Sequence, residues 1–426
     1  MSNTQKKNVP ELRFPGFEGE WEEKQLGEVG TFTSGGTPLK SKSEYWNGDI
    51  PWITTGDIHN IKRENITNFI TEKGLNESSA KLITNEAILI AMYGQGKTRG
   101  MSAILNFEAT TNQACAIYQT NQNINFVFQY FQKLYKFLRS LSNEGSQKNL
   151  SLSLLKEITL NYPNEQEQKK IGVFFSKLDR QIELEEQKLE LLQQQKKGYM
   201  QKIFSQELRF KDENGEDYPD WKEKKLGDIT EQSMYGIGAS ATRFDSKNIY
   251  IRITDIDEKS RKLNYQNLTT PDEVNNKYKL KRNDILFART GASTGKSYIH
   301  KEEKDIYNYY FAGFLIKFEI NEQNSPLFIY QFTLTSKFNK WVKVMSVRSG
   351  QPGINSEEYA KLPLVLPNKL EQQKIAEFLD RFDQQIELEK QKNRNTSTTE
   401  KRLTSIDVYL IVMHKIPHYL SVRDFF

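Results

Sequence analysis

The sequence predicts an α+β chain: two similar mixed α/β domains separated by long helices that pair as an antiparallel coiled coil. Three observations predict it. Landmarks of the first half recur in the second about 200 positions later. Each half closes on a proline-free stretch whose apolar residues follow a heptad. Between these stretches lie short runs of alternating apolar and polar residues, broken by Gly, Asn and Thr.

The repeat gives the boundaries. An N-terminal segment, residues 1–20, carries ELRF at 11–14, which returns at 207–210. WEEKQLGEV from Trp21 returns as WKEKKLGDI from Trp221. PNEQEQKKIGVFFSKLDRQIELEEQK, residues 163–188, matches PNKLEQQKIAEFLDRFDQQIELEKQK, residues 367–392, without a gap. Two landmarks in the same order at near-equal spacing mark a tandem duplication. The predicted parts are a first globular domain over 21–162, a first helix over 163–206, a second domain over 207–366, a second helix over 367–392 and a divergent tail over 393–426.

In the globular parts, candidate strands are residues 50–54, 87–92 and 114–119, then 249–253, 284–288 and 311–318. Each half has a glycine-rich turn after an apolar strand: AILIAMYGQGKTRGMSAI at 87–104 and DILFARTGASTGKSYI at 284–299. A nucleotide-binding P-loop would need a glycine at position 290, five before Gly295, and that residue is Thr290. Such a turn can instead approach phosphate through its amides, with Lys97, Arg99, Arg289 and Lys296 adding charge. Gln95, Arg99 and Arg289 can make two-pronged bonds to base edges. Tyr93, Thr290, Ser293 and Thr294 share these turns. The loops EGSQKNLS at 144–151 and RSGQPGIN at 348–355 precede the helices and add Gln147, Lys148, Arg348 and Gln351. Asp57 and Asp255 align in a further pair of polar loops. An ordinary turn between strands is the competing reading, and the repetition keeps both open.

Asn164 with Glu167, and Asn368 with Glu371, have capping-box spacing at the helix starts. The first seam is Ile171, Phe175, Leu178 and Ile182, a gap at Glu185, then Leu189 and Leu192. The second is Ile375, Leu379, Phe382 and Ile386, with Glu389 at the same gap. Forty residues of helix make a rod of roughly 60 Å. Neither stripe can be buried alone, so the helices are expected to pair.

Composition restricts the class. Hydrophobic residues make up 37% and charged residues 27% of 426, with 25 Phe and 20 Tyr, a foldable balance. The formal charge of +5 permits nucleic-acid binding without requiring it. One cysteine, Cys115, excludes an internal disulfide and a multi-cysteine zinc site. The opening MSNTQKKNVPELRF has no apolar core, and the apolar run 408–413 is far short of a membrane span, so no signal peptide or membrane is expected. A cytoplasmic setting fits.

The order domain, IELE-type helix, domain, IELE-type helix resembles the specificity subunits of type I restriction-modification systems. The phrases GGTP…YW.G.IPWI, ILFAR.G.STGK and P…EQ.KI..F....D..IELE carry the resemblance, which extends to about Lys392. It implies that each globular part is a target recognition domain reading one half of a bipartite site in double-stranded DNA. The helices would set the gap and dock modification subunits, two of them expected. Those subunits would bind S-adenosylmethionine, and a restriction subunit would use ATP and Mg. This chain would bind no cofactor and no metal and would catalyse nothing. The unlike turns GQGKTRG and GASTGKS imply unlike half-sites. Two other classes stand beside this one: an enzyme acting alone, and a coiled-coil scaffold bridging proteins without DNA.

After Lys392 the copies diverge: NRNTSTTEKR stands where the first has LELLQQQKKG. Asn393 and Thr396 occupy the seam positions of Leu189 and Leu192. The run Thr396-Ser397-Thr398-Thr399 is poor helix material. Codons for residues 395–402, read one base later, can encode Ile-Leu-Gln-Gln-Gln-Lys-Lys-Gly. A one-base frameshift is therefore predicted to have produced the tail 393–426. Sequencing the gene is expected to show that a single-base change restores the helix phrase, and a gene in which none does would exclude the idea.

Overall fold

The protein, as a computed structural model, is described at residues 8–10, 12–94, 97–141, 149–301 and 306–406, with residues 396–406 described by backbone alone. It forms two compact units. One holds the described residues up to Glu186 and from Lys392 onward; the other is Gln187–Gln391.

Each unit is built on a four-stranded antiparallel sheet of the same connectivity. In the first unit the order is Gly30–Ser34, Cys115–Thr120, Ala87–Ala91, Ser102–Leu105. In the second it is Thr230–Tyr235, Leu315–Ile320, Ile285–Ala288, Ser297–Ile299. The third strand of each sheet is wholly apolar because both of its faces are covered. Ile88 and Ile90 pack towards the helix Ile124–Ser140, while Leu89 and Ala91 join a separate core with Ile53 and Ile58. Ile285 and Phe287, against Leu286 and Ala288, divide in the same way. A smaller parallel pair recurs too: Trp46–Ile53 with Thr110–Thr111, and Asn248–Ile251 with Asn308–Phe311. Cys115 lies at the buried edge of the first sheet, where burial pushes its thiol up to about 12.

One predicted strand is corrected. Residues 311–318 are two strands, Asn308–Phe311 and Leu315–Ile320, with a turn at 312–314. The chain leaves the parallel pair there and enters the four-stranded sheet, so one extended run cannot serve both.

The long helices are Glu165–Phe204 and Lys369–Ile406. The strand before each, Thr159–Tyr162 or Pro363–Leu366, pairs with the strand that opens its unit, Glu22–Gln25 or Lys222–Lys225. The capping box is half right. The Glu167 and Glu371 amides donate to Asn164 Oδ1 and Asn368 Oδ1, both at 2.9 Å. The glutamate side chains do not return to the cap, because each is buried and held by an arginine of the ELRF phrase. Arg13 Nε and Nη2 donate to Glu167 at 2.8 and 2.7 Å. Arg209 donates to Glu371 at 3.2 and 2.8 Å, joined by Trp221 Nε1 at 3.2 Å. The next residue, Gln168 or Gln372, accepts from the amide of Asn123 or Ser325 and donates to Pro163 O or Pro367 O. Gly172 sits within the first seam because a Cβ there would lie 2.6 Å from Asn123 Oδ1.

In the second unit the helices run antiparallel. Lys188 meets Glu389 and Lys196 meets Asp383, both at 2.7 Å, and Tyr199 packs on Phe378 and Phe382 at 5.1 and 5.5 Å. The seam gap at Glu389 is thus a buried carboxylate with a lysine partner, a register-fixing device of the kind seen in coiled coils. Other seam residues do more than pair helices. Ile375 and Leu379 belong to the globular core of their unit, and Ile171 packs against that of the first. Phe175 and Ile386 are buried; Leu178, Ile182, Leu189, Leu192 and Phe382 are half-buried. The second helix does not stop at Lys392 but keeps helical backbone to Ile406. A few Thr and Ser residues cost only tenths of a kcal/mol each (about 0.7 at most) within so long a helix. No described helix is long and apolar enough to cross a membrane.

A further repeat ties the helices to the sheets. Gln129 Nε2 donates to Asp179 and Gln331 Nε2 to Asp383, both at 2.9 Å. Burial raises the Asp179 carboxyl above the ordinary range. Asp383 has Lys196 beside it, whereas Gln129 is the hydrogen-bond partner Asp179 has among the described residues.

Glu371→Ala should cost the second unit about 3 kcal/mol, since it strands a half-buried arginine, whereas Lys24→Ala, in an exposed pair with Glu22, should cost under ~0.5 kcal/mol; urea unfolding read separately for each unit measures both. Because the folded-state value of Asp179 is raised, the native chain takes up a proton before the unfolded chain does, and it gains stability as pH falls through that raised range. Asp179→Asn keeps the acceptor for Gln129 and should raise the unfolding midpoint at neutral pH, while Asp383→Asn, which breaks the Lys196 pair, should lower it.

Candidate nucleic-acid interface

In the second unit the two repeated polar loops come together. The buried strand Ile285–Ala288 ends at Arg289, and the turn beyond it lies along the loop at 348–355. Gly291 N donates to Pro352 O at 2.9 Å, Ile354 N to Arg289 O at 2.9 Å, and Thr290 bridges to Gly353. Thr294 Oγ1 donates to Gly291 O and Pro352 O at 2.8 and 3.2 Å. Gly295 is required here: its φ is +87°, and a Cβ would lie 2.6 Å from Val342. The turn then enters the strand Ser297–Ile299 rather than a helix, so it lacks the helix N-terminus on which a P-loop holds phosphate.

The side chains on this surface are held to different degrees. The Arg289 guanidinium lies over the Tyr235 ring at 4.9 Å. Tyr235 OH accepts from Ser356 N at 3.1 Å, which fixes the ring. A stacked guanidinium keeps its planar edge of donors available. Thr290, Ser293 and Thr294 are partly exposed and Gln351 is exposed. Arg348 faces solvent but is tied to both carboxylate oxygens of Glu358 at 2.5 Å. Lys296 differs from the rest: its side chain is 7% exposed, and its amine meets Glu258 at 2.7 Å and donates to Ile256 O at 3.2 Å. That pair holds the Glu258 carboxyl below its usual range. Tyr235 and Phe314, an exposed ring whose carbonyl accepts from Arg289 N at 3.1 Å, were not legible as surface residues from spacing. Both become neighbours of Arg289 only through sheet pairing.

The first unit repeats the scheme. Leu150 N donates to Met92 O at 3.1 Å, as Ile354 does to Arg289. Tyr93 and Lys97 are exposed, and the Lys97 carbonyl accepts from Tyr135 OH. Arg99 is half-buried and donates to Arg139 O at 2.6 Å. Gln95, Gln147 and Lys148 lie outside the described residues.

The phrases that carry the resemblance turn out to be architectural. In GGTP, a Cβ on Gly35 or Gly36 would lie about 2 Å from Thr111 or Ser79. Trp52 of IPWI donates to Gly36 O at 3.0 Å and packs edge-on to Trp46. Asp57 and Asp255, aligned in the sequence, each close a short 3-10 turn, accepting from the amides of Thr54 and Arg252 at 2.8 and 2.9 Å.

The family model for the type I restriction modification DNA specificity domain matches residues 18–194 and 218–395, one copy over each repeat. The chain belongs to that family. Among curated relatives, the MjaIX specificity subunit of Methanocaldococcus jannaschii is 30% identical over 227 residues, 49% of this chain and 51% of that protein. The EcoR124I/EcoR124II specificity subunit of Escherichia coli is 33% identical over 168 residues, 38% of this chain and 42% of that protein. The matched stretches thus span about half or less of these two relatives. The MjaVIII specificity subunit of M. jannaschii is 22% identical over 94% of both chains. The crystal structure of a type I restriction-modification S subunit from M. genitalium has the same fold, with a TM-score of 0.65 at 15% identity over 93% of this chain and 98% of that one.

Lys296→Ala should cost the second unit about 1–3 kcal/mol, because it leaves the Ile256 carbonyl and the Glu258 carboxylate without their partner. Gln351→Ala, on the exposed loop, should stay within ~0.5 kcal/mol. Denaturant unfolding of the two variants distinguishes the internal strut from the surface residue.

Proposed function

We propose that the chain is the DNA sequence-specificity subunit of a type I restriction-modification complex, supplying recognition rather than chemistry. Each unit reads one half of a bipartite, asymmetric site in double-stranded DNA. The paired helices set the gap and dock modification subunits, two per chain, which carry S-adenosylmethionine; a restriction subunit brings ATP and Mg. The complex works in the cytoplasm.

One observation supports this reading above the others. The residues that fasten helix to sheet repeat between the units, Arg13, Glu167 and Gln168 as Arg209, Glu371 and Gln372. The turns at the outer ends of the same sheets do not repeat. A kept scaffold with changed loops is what reading two different half-sites requires. In the second unit Arg289, on its Tyr235 platform, is the candidate for a two-pronged contact to a guanine edge. Thr290, Ser293, Thr294 and Gln351 stand beside it, and Arg348 adds charge near a phosphate. Tyr93, Gln95, Lys97, Arg99, Gln147 and Lys148 are the candidates in the first unit. Lys296 braces the turn from inside.

Arg289→Glu in the assembled complex should weaken binding to its specific duplex at least tenfold, about 1.4 kcal/mol or more, with modification-subunit binding unchanged. Unaltered DNA affinity would favour a bridging scaffold instead. Methylome sequencing of a host carrying this gene with its partners should return one two-part, asymmetric adenine motif.

A further inference from the structure

The two units differ at one matched place. In the second unit an apolar wall of Trp221, Phe328, Phe332, Ile375, Phe378 and Leu379 is covered by the end of the first long helix. Phe204 lies 5.3 Å from Phe328 and 5.7 Å from Phe332, Tyr199 lies 5.1 Å from Phe378, and Met200 and Ile203 are buried in the same core. Lys196 completes the contact on Asp383 at 2.7 Å.

The first unit has the same wall, residue for residue: Trp21, Phe126, Tyr130, Ile171, Phe174 and Phe175. Here it lines an open groove of about 180 Å³. Phe174 is 38% exposed. Trp21 Nε1 is buried with no hydrogen-bond partner, whereas Trp221 donates to Glu371. Asp179, the counterpart of Asp383, has Gln129 and no cation among the described residues. The chain's own tail does not carry the matching residues. Where the first helix has Lys196, Tyr199, Met200, Ile203 and Phe204, the positions 204 further on are Glu400, Leu403, Thr404, Asp407 and Val408. Glu400 brings the wrong charge towards Asp179, and Asp407 replaces a core isoleucine.

We propose that the groove of the first unit is an acceptor for a helix end supplied by a separate polypeptide, with a lysine for Asp179 followed by Tyr-Met and Ile-Phe at the spacing of residues 196–204. The apolar wall takes the four large side chains, and the buried carboxylate selects the cation and sets the register. A second copy of this chain is not the donor, because its own Tyr199–Phe204 stretch is already packed in its second unit. The inference concerns helix capture and does not depend on which bases the loops contact.

The test is calorimetric titration of the full chain with a synthetic peptide having the sequence of residues 189–206. Saturable one-to-one binding is expected. A peptide carrying Lys196→Glu or Phe204→Ala should bind roughly tenfold weaker or worse. Phe174→Glu and Asp179→Lys in the protein should abolish binding while circular dichroism stays unchanged, and Asp179→Lys should restore affinity for the Lys196→Glu peptide. Absence of saturable binding overturns the proposal, and so does binding indifferent to residues 174 and 179. Sedimentation showing a dimer that excludes the peptide overturns it in favour of a second copy as occupant.

Discussion

Everything in this fold depends on how a long helix is fastened to the sheet that precedes it. The fastening is a buried carboxylate one turn into the helix, Glu167 or Glu371, gripped by an arginine from the segment that opens the unit. A buried carboxylate is tolerable only with its charge opposed and its oxygens bonded. The arginine provides both, and the neighbouring glutamine satisfies backbone groups at the start of a second helix. Helix direction is thereby tied to sheet orientation by groups that cannot be exchanged singly. That tie accounts for the repetition of ELRF and of the EQ pair, otherwise two short phrases more than 150 residues apart.

The same economy separates scaffold from surface. Strands buried on both faces hold the glycine-rich turns rigidly, and the turns lean on the loop before the long helix through backbone bonds. Side chains at the edge are then free to vary. Arg289 is preorganised by the ring beneath it, which suits a residue meant to present a flat fork of donors. Lys296, two residues before a strand residue facing the core, is drawn inward by a carbonyl and a glutamate. Adjacent cations in one loop therefore have opposite roles.

The tail alters one end of this plan. In the second unit the end of the first helix closes an apolar wall and offers a lysine to Asp383. The matching wall of the first unit depends on whatever follows Lys392, and the residues there differ in size and charge. Backbone helicity continues regardless, since a helix this long tolerates several poor helix formers. Side-chain complementarity is what changes, and with it the state of Asp179.

The amino-acid sequence by itself determined the duplication, the two long helices with their asparagine caps, the central strands and the family. These signals are local or periodic, and they survive without knowledge of what packs on what. Tertiary structure decided the rest. It turned Glu167 and Glu371 from capping-box arms into arginine-bound anchors, split residues 311–318 between two sheets, buried Lys296 and set Tyr235 under Arg289. It also left one apolar wall covered and its twin open. Each of these outcomes rests on partners that lie far apart in the chain. Burial and charge pairing are properties of the neighbours a residue acquires on folding, and no spacing along the chain encodes them.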